Sequence, residues 1–143
     1  MPISDKSGLD LLVDTSVAIA LVVSDHEHHA ATSDAVGDRR LGLAGHAVFE
    51  TFSVLTRLPP PARRTPAAVV RILASGFPCT KFLSAGAATG LLERFASVGI
   101  AGGSVYDALV GAAASEHDLI LVTRDQRALD TYRKLDVQVE LIA

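Results

Sequence analysis

The chain has 143 residues, 49% hydrophobic and 20% charged, with a formal net charge of −3. That length fits one domain of roughly 150 residues, and that composition excludes a disordered tail. The negative balance removes the global basic field that drives non-specific DNA binding, so any nucleic-acid contact is local.

Residues 9–13 form a short apolar run that ends at Asp14, with Thr15 and Ser16 at the junction to a second apolar stretch from Val17. The pattern predicts a buried parallel strand, a turn and a helix. The polar, His-rich residues 25–38 predict a second helix stopped by Gly37, with His26, His28 and His29 on a solvated face rather than around a metal. Residues 41–44 predict a second strand, and residues 46–58 a helix with Val48, Phe49, Phe52 and Leu55 on helical spacing, ended by Pro59, Pro60 and Pro61. Thr65 and Pro66 open a helix through Ala74 that Gly76 closes. Residues 81–83 predict a third strand, Ser84 caps a long helix through Ser97, and Gly99, Gly102 and Gly103 form a break. Ser104 opens a helix to about Glu116, in which Ala108, Gly111, Ala112 and Ala114 permit close packing. A strand over residues 119–123, a helix over 124–133 and a last strand over 137–142 complete the chain. Alternating strands and helices with short connections imply an α/β layer fold with a mainly parallel sheet.

No membrane span is predicted, because the longest uninterrupted apolar run, residues 17–23, falls far below roughly 18 residues. The opening MPISDKSGLD carries Asp5 and Asp10 and lacks the basic and apolar regions of a secretory signal, so a cytoplasmic location is expected. The single cysteine, Cys79, excludes an intramolecular disulfide framework and reads as a small hydrophobe near a strand. Seven Phe and Tyr and no Trp argue against the base-stacking platforms of RRM or OB-type binders.

In open parallel sheets ligands gather at the carboxyl ends of the strands. Asp14 and Asp125 follow predicted strands, while Glu50 and Asp107 lie in the first turns of predicted helices. Singly, each has a plain explanation as a cap, a dipole-favoured residue or a solvated side chain. Together they repel unless a cation neutralises them. Mg²⁺ or Mn²⁺ takes oxygen ligands, needs one or two direct carboxylates, and keeps waters that can attack a phosphodiester. The pattern therefore reads as a metal-dependent phosphoryl hydrolase.

Four segments, LLVDTSVAIAL around Asp14, HAVFETFSVLTRLP around Glu50, GGSVYDALVGAAA around Asp107 and LVTRDQRAL around Asp125, resemble the PIN-domain ribonucleases and, among them, the VapC-type toxins. The resemblance spans residues 9–142. It implies a three-layer α/β/α sandwich in a single domain over residues 1–143, Mg²⁺- or Mn²⁺-dependent endoribonuclease activity, a VapB-type antitoxin that blocks the site, and a homodimer. It assigns the acidic, metal-binding roles to Asp14, Glu50, Asp107 and Asp125, with Ser16 and Thr123 as supporting hydroxyls. The last segment departs from the commoner form in carrying Ala128 and Leu129 where an aromatic is frequent.

His46 lies four residues before Glu50 and shares its helix face; it is read as structural rather than catalytic, and Tyr106 as a packing residue. The expected substrate is a single-stranded loop of folded RNA, its flanking phosphates held by Arg63, Arg64 or Arg124. The alternatives are a catalytically silent PIN fold and a receiver domain. The receiver fits poorly, since Asp14 lacks a paired acid and Thr123 is followed by Arg124 rather than lysine.

Overall fold

Four short runs rich in Leu and Val pair side by side in the computed structural model, which describes residues 10–143. They are β1 (Asp10–Val13), β2 (Arg40–Leu43), β3 (Leu121–Thr123) and β4 (Val139–Leu141), all parallel, in the order β2-β1-β3-β4. The register sets Leu11 beside Leu41, Leu12 beside Gly42 and Leu121, and Leu121 beside Val139. Successive strand residues face opposite sides of a sheet. Leu11, Leu12, Val13, Leu121 and Val122 are all buried, so both faces are covered, as a parallel sheet requires. Position 9 of the first predicted strand lies outside the described residues.

The helices form the outer layers of an α/β/α sandwich. From β1 the chain passes through α1 (Thr15–Val22) and α2 (His29–Val36) to β2 at one edge. It then returns past β1 to β3 through α3 (Ala47–Arg57), α4 (Pro66–Gly76), α5 (Ala85–Thr89), α6 (Leu91–Val98) and α7 (Ser104–Glu116), and α8 (Leu129–Lys134) leads to β4. α1 packs on α2 and α3, α3 on α4, and α7 on α8. Strand order reverses between β1 and β3, which opens a crevice beyond their carboxyl ends. Asp14 and Asp125 sit at that crevice because they follow those two strands.

The small residues of α7 do the packing expected of them: Ala108, Gly111, Ala112, Ala113 and Ala114 are buried. A Cβ at Gly111 would lie 3.0 Å from Tyr132 Cδ1 and 3.1 Å from Val137 Cγ2. The missing methyl lets α8 close on α7 and carries the Tyr132 ring into the core, where it is 1% exposed.

Residues 81–83 do not form a strand. Lys81 makes one parallel bridge to Ala44, and Cys79 N–H donates to Leu41 O at 3.0 Å. Between them Leu43 N–H is taken by the Thr80 hydroxyl at 2.9 Å, where a ladder would use a carbonyl. The segment still covers the β2 edge, closely enough that a Cβ on Gly42 would fall 2.2 Å from the Cys79 carbonyl carbon, and Cys79 is a buried free thiol. The long helix expected after Ser84 is split at Gly90 into α5 and α6. Thr89 Oγ1 bonds back to Ala85 O at 2.8 Å, and a glycine next to a back-bonded hydroxyl favours a break.

The helix expected over 124–133 begins later, since Asp125 caps a 3₁₀ turn (Gln126–Ala128) that runs into α8. The His-rich helix also starts late, at His29; Asp25 and Glu27 fall in the turn before it. Gly37 ends it with φ 59°, a left-handed value that suits glycine. Among the described residues no helix is long and apolar enough to cross a membrane.

Candidate active site

Asp14 is the fixed point of the crevice. Its carboxylate is 5% exposed and accepts four hydrogen bonds: Ser16 Oγ donates to Oδ1 at 2.5 Å, Val17 N–H to Oδ1 at 3.3 Å, Tyr132 O–H to Oδ2 at 2.9 Å, and Thr123 O–H to Oδ2. Ser16 Oγ in turn accepts Arg124 N–H at 2.9 Å, and Thr123 Oγ1 accepts Asp125 N–H at 3.0 Å. The end of β1 is thereby tied to the loop after β3. Burial pushes the Asp14 carboxyl up, and the four donors oppose that rise by favouring the charged form. The Tyr132 hydroxyl is pushed far up by its own burial and by the Asp14 charge, so it stays a proton donor.

The expected acids converge. Asp14, Glu50, Asp107 and Asp125 all line one cavity of about 320 Å³. Asp14 and Asp125 reach it from strand ends; Glu50 and Asp107 reach it from the first turns of α3 and α7. Asp107 is pushed up by burial and then by the charges of Asp125, Glu50 and Asp14, with Arg127 opposing. Asp125 also accepts Arg127 N–H at 2.9 Å, so it is both cap and cavity wall. Ser16 lines the cavity, while Thr123 stands behind it, fully buried.

Arg124 lines the same cavity, and its buried Nε has no partner among the described residues. A guanidinium at the cavity wall offers charged donors to an anion, and a buried N–H left without a partner is a cost that a change at the site could relieve. Arg63 and Arg64 are placed elsewhere: the Arg63 Nε donates to Leu58 O at 2.8 Å and the Arg64 guanidinium to Ala62 O, and neither borders the cavity.

Two cavity residues escaped the sequence reading. His26 lines the cavity instead of a solvated helix face. Its Nδ1 accepts His28 N–H at 3.1 Å, which leaves the proton of the neutral ring on Nε2. Tyr132, on α8 and three or four residues beyond Leu129 and Ala128, is the aromatic that lines the cavity. It bonds to Asp14 across 118 positions of sequence, a distance at which no local spacing signals the contact. Tyr106, read as a packing residue, is 56% exposed and stacks on His46 with ring centroids 5.4 Å apart.

The donor set is all oxygen, which suits a hard divalent cation. Among the described residues no three His, Cys, Asp or Glu side chains are drawn together closely enough to enclose an ion. The carboxylates ring a cavity with room for water, and an ion that keeps several waters needs only one or two of them directly.

A parallel sheet with acids at its reversal point and a basic residue among them matches a known class of protein. The PIN-domain profile matches residues 11–134, and the chain belongs to the PIN-domain family. Its similarity runs to particular members. The Mycobacterium tuberculosis ribonuclease VapC27 is 47% identical over 133 residues, which is 93% of this chain and 97% of that protein. Ribonuclease VapC40 of the same organism is 44% identical over 131 residues, 90% of this chain and 96% of that protein. In fold, the chain superposes on a protein in the crystal structure of DNA-bound VapBC from Salmonella typhimurium with a TM-score of 0.67. The identity there is 20%, and the match covers 94% of this chain and 99% of the other.

Proposed function

We propose that this protein is a metal-dependent endoribonuclease, the toxin of a toxin–antitoxin pair, that hydrolyses phosphodiester bonds in single-stranded loops of folded RNA. The observation that carries this reading is the meeting of Asp14, Glu50, Asp107 and Asp125 with Arg124 in one cavity. The two mycobacterial relatives, named ribonucleases and aligned over nine-tenths of this chain, support it. Mg²⁺ or Mn²⁺, when bound, supplies charge neutralisation and a water activated for attack on phosphorus. Asp14 presents its carboxyl in a fixed orientation, because four donors hold it. Asp107 and the exposed Glu50 provide the open side of the ligand set. The Arg124 guanidinium, at the cavity wall, takes a non-bridging phosphate oxygen next to the scissile bond. A ring of acids repels a regular duplex, whereas a splayed loop delivers one phosphate at a time.

A small antitoxin restrains the enzyme by laying a C-terminal arginine among the carboxylates, where a guanidinium replaces the charge of the metal. The test is incubation of purified protein and Mg²⁺ with a folded RNA, the same RNA fully duplexed by complementary strands, and duplex DNA. Cleavage is expected in RNA loops alone and is abolished by EDTA. Comparable cutting of duplex DNA, or undiminished cutting by both Asp14→Asn and Asp107→Asn proteins, overturns the reading.

A further inference from the structure

Of the seven Phe and Tyr side chains in this protein, Phe49, Phe82 and Tyr106 are the ones that stand out in solvent, at 62%, 52% and 56% exposure. They share one face. Phe49 and Phe82 lie with ring centroids 6.1 Å apart, tilted by 44°, and Tyr106 lies against His46 with an interplanar angle of 29°. His46, Phe49 and Tyr106 line a second cavity of about 520 Å³ together with Ser53, Glu50 and Asp107. Glu50 and Asp107 also line the acidic cavity, so the two spaces adjoin through those two carboxylates.

We propose that this aromatic cleft is a nucleobase subsite, in which an unpaired base beside the scissile phosphate stacks on the Tyr106 and Phe49 rings. Exposed rings offer any base a π-face at no cost in sequence selectivity, and stacking of this kind holds single strands. His46 packs against Tyr106 and keeps that ring in place before a base arrives. Ser53 and Glu50 offer hydrogen-bonding groups to a base edge. Two carboxylates at the junction favour an occupant that brings a cation: a second copy of this chain seated by the same face would set its own Glu50 and Asp107 against them, like charge on like charge, whereas a nucleotide whose phosphate lies in the acidic cavity brings a cation with it. A duplex cannot use the cleft, since its bases are already stacked.

This inference rests on the nuclease reading, and one set of measurements separates the two. The probe is a short single-stranded RNA carrying 2-aminopurine, whose fluorescence is quenched by stacking. It is bound in Ca²⁺, a hard cation with the same taste for oxygen ligands, and cleavage of the unlabelled RNA is followed in Mg²⁺. Wild type is expected to quench the probe. Tyr106→Ala and Phe49→Ala lose the quenching and raise KM by about 5- to 150-fold with kcat nearly unchanged, since stacking is worth about 1–3 kcal/mol per base. Tyr106→Trp retains both. Both alanine substitutions are at exposed positions, and an unchanged melting curve confirms their folds. Cleavage by wild type with no change in KM or quenching in the variants overturns the subsite and leaves the nuclease standing. Quenching that depends on Tyr106 in a protein that cuts no RNA overturns the nuclease and leaves the subsite. A dimer that dissociates in Tyr106→Ala while RNA affinity is unchanged overturns the subsite and makes the face a contact between copies of this chain.

Discussion

The strand side and the helix side of the acidic cavity are built on opposite terms. On the strand side Asp14 is 5% exposed and saturated by four donors from α1, β3 and α8. On the helix side Glu50 is exposed and Asp107 partly so, and exposed Phe49 and Tyr106 stand directly before them in sequence. Asp14 is a piece of the core that reaches the site, although Asp125 at the next strand end is only partly buried. The helix side is surface that can adapt to what enters. The same residue type therefore does different work in each place, and substitutions should separate the two.

The largest effect is on chemistry, where the two sides should agree: Asp107→Asn and Asp14→Asn each lower cleavage at least about 100-fold, as expected for loss of a ligand charge at a metal-assisted site. Purified proteins compared on one RNA check this. Stability should then divide them. Asp14→Ala strands the hydroxyls of Ser16, Thr123 and Tyr132 and costs about 3 kcal/mol, while Asp107→Ala costs little; urea unfolding of both without metal measures the gap. Equal losses would erase the distinction.

How much of this was legible beforehand follows the same division. The acids and their order could be read, because each follows an apolar run or opens a helix, and those are local patterns. The strand order could not: that β1 lies between β2 and β3 depends on pairing across the chain. Residues 81–83 misled because Thr80 substitutes a side-chain oxygen for a ladder carbonyl, and periodicity does not register that exchange. His26 reaches the cavity from a turn that carries no helical phase. The aromatics are few, and composition does not register that three exposed ones gather on one face.

A smaller effect sharpens the account of the strand side. Tyr132→Phe removes one donor from a buried carboxylate and should cost about 1.5–3 kcal/mol. Gly111→Ala presses a methyl on the same ring and should cost about 1–3 kcal/mol. Because both act through Tyr132, the double variant should fall short of the sum; strict additivity in thermal melts would show that Gly111 does not act through that ring.

The smallest effect concerns pH on the helix side. Asp107 is raised in the folded protein, so between the ordinary aspartate value near ~3.9 and its raised value the folded state binds more protons than the unfolded one. Its contribution makes the metal-free protein less stable as pH rises through that window. Asp107→Asn should remove this slope and leave the metal-free protein more stable at neutral pH, by less than about 1 kcal/mol for a partly exposed, screened group. Melting temperatures from pH 4 to 7 test it, and a variant that loses stability relative to wild type at neutral pH contradicts it.

The two hydroxyls beside Asp14 have one proton each, and that arithmetic gives the site a direction. Ser16 and Thr123 spend their protons on the carboxylate, so each must turn a lone pair to a backbone amide, of Arg124 and of Asp125. An amide nitrogen in place of Oδ2 would take away the acceptor of the Thr123 proton and leave that buried proton to find another partner, at the cost of the geometry in which Oγ1 now accepts the Asp125 amide. The negative charge at the end of the first strand thus sets the posture of an acid more than a hundred positions downstream, and a substitution at one end of the chain will be felt as a displacement at the other.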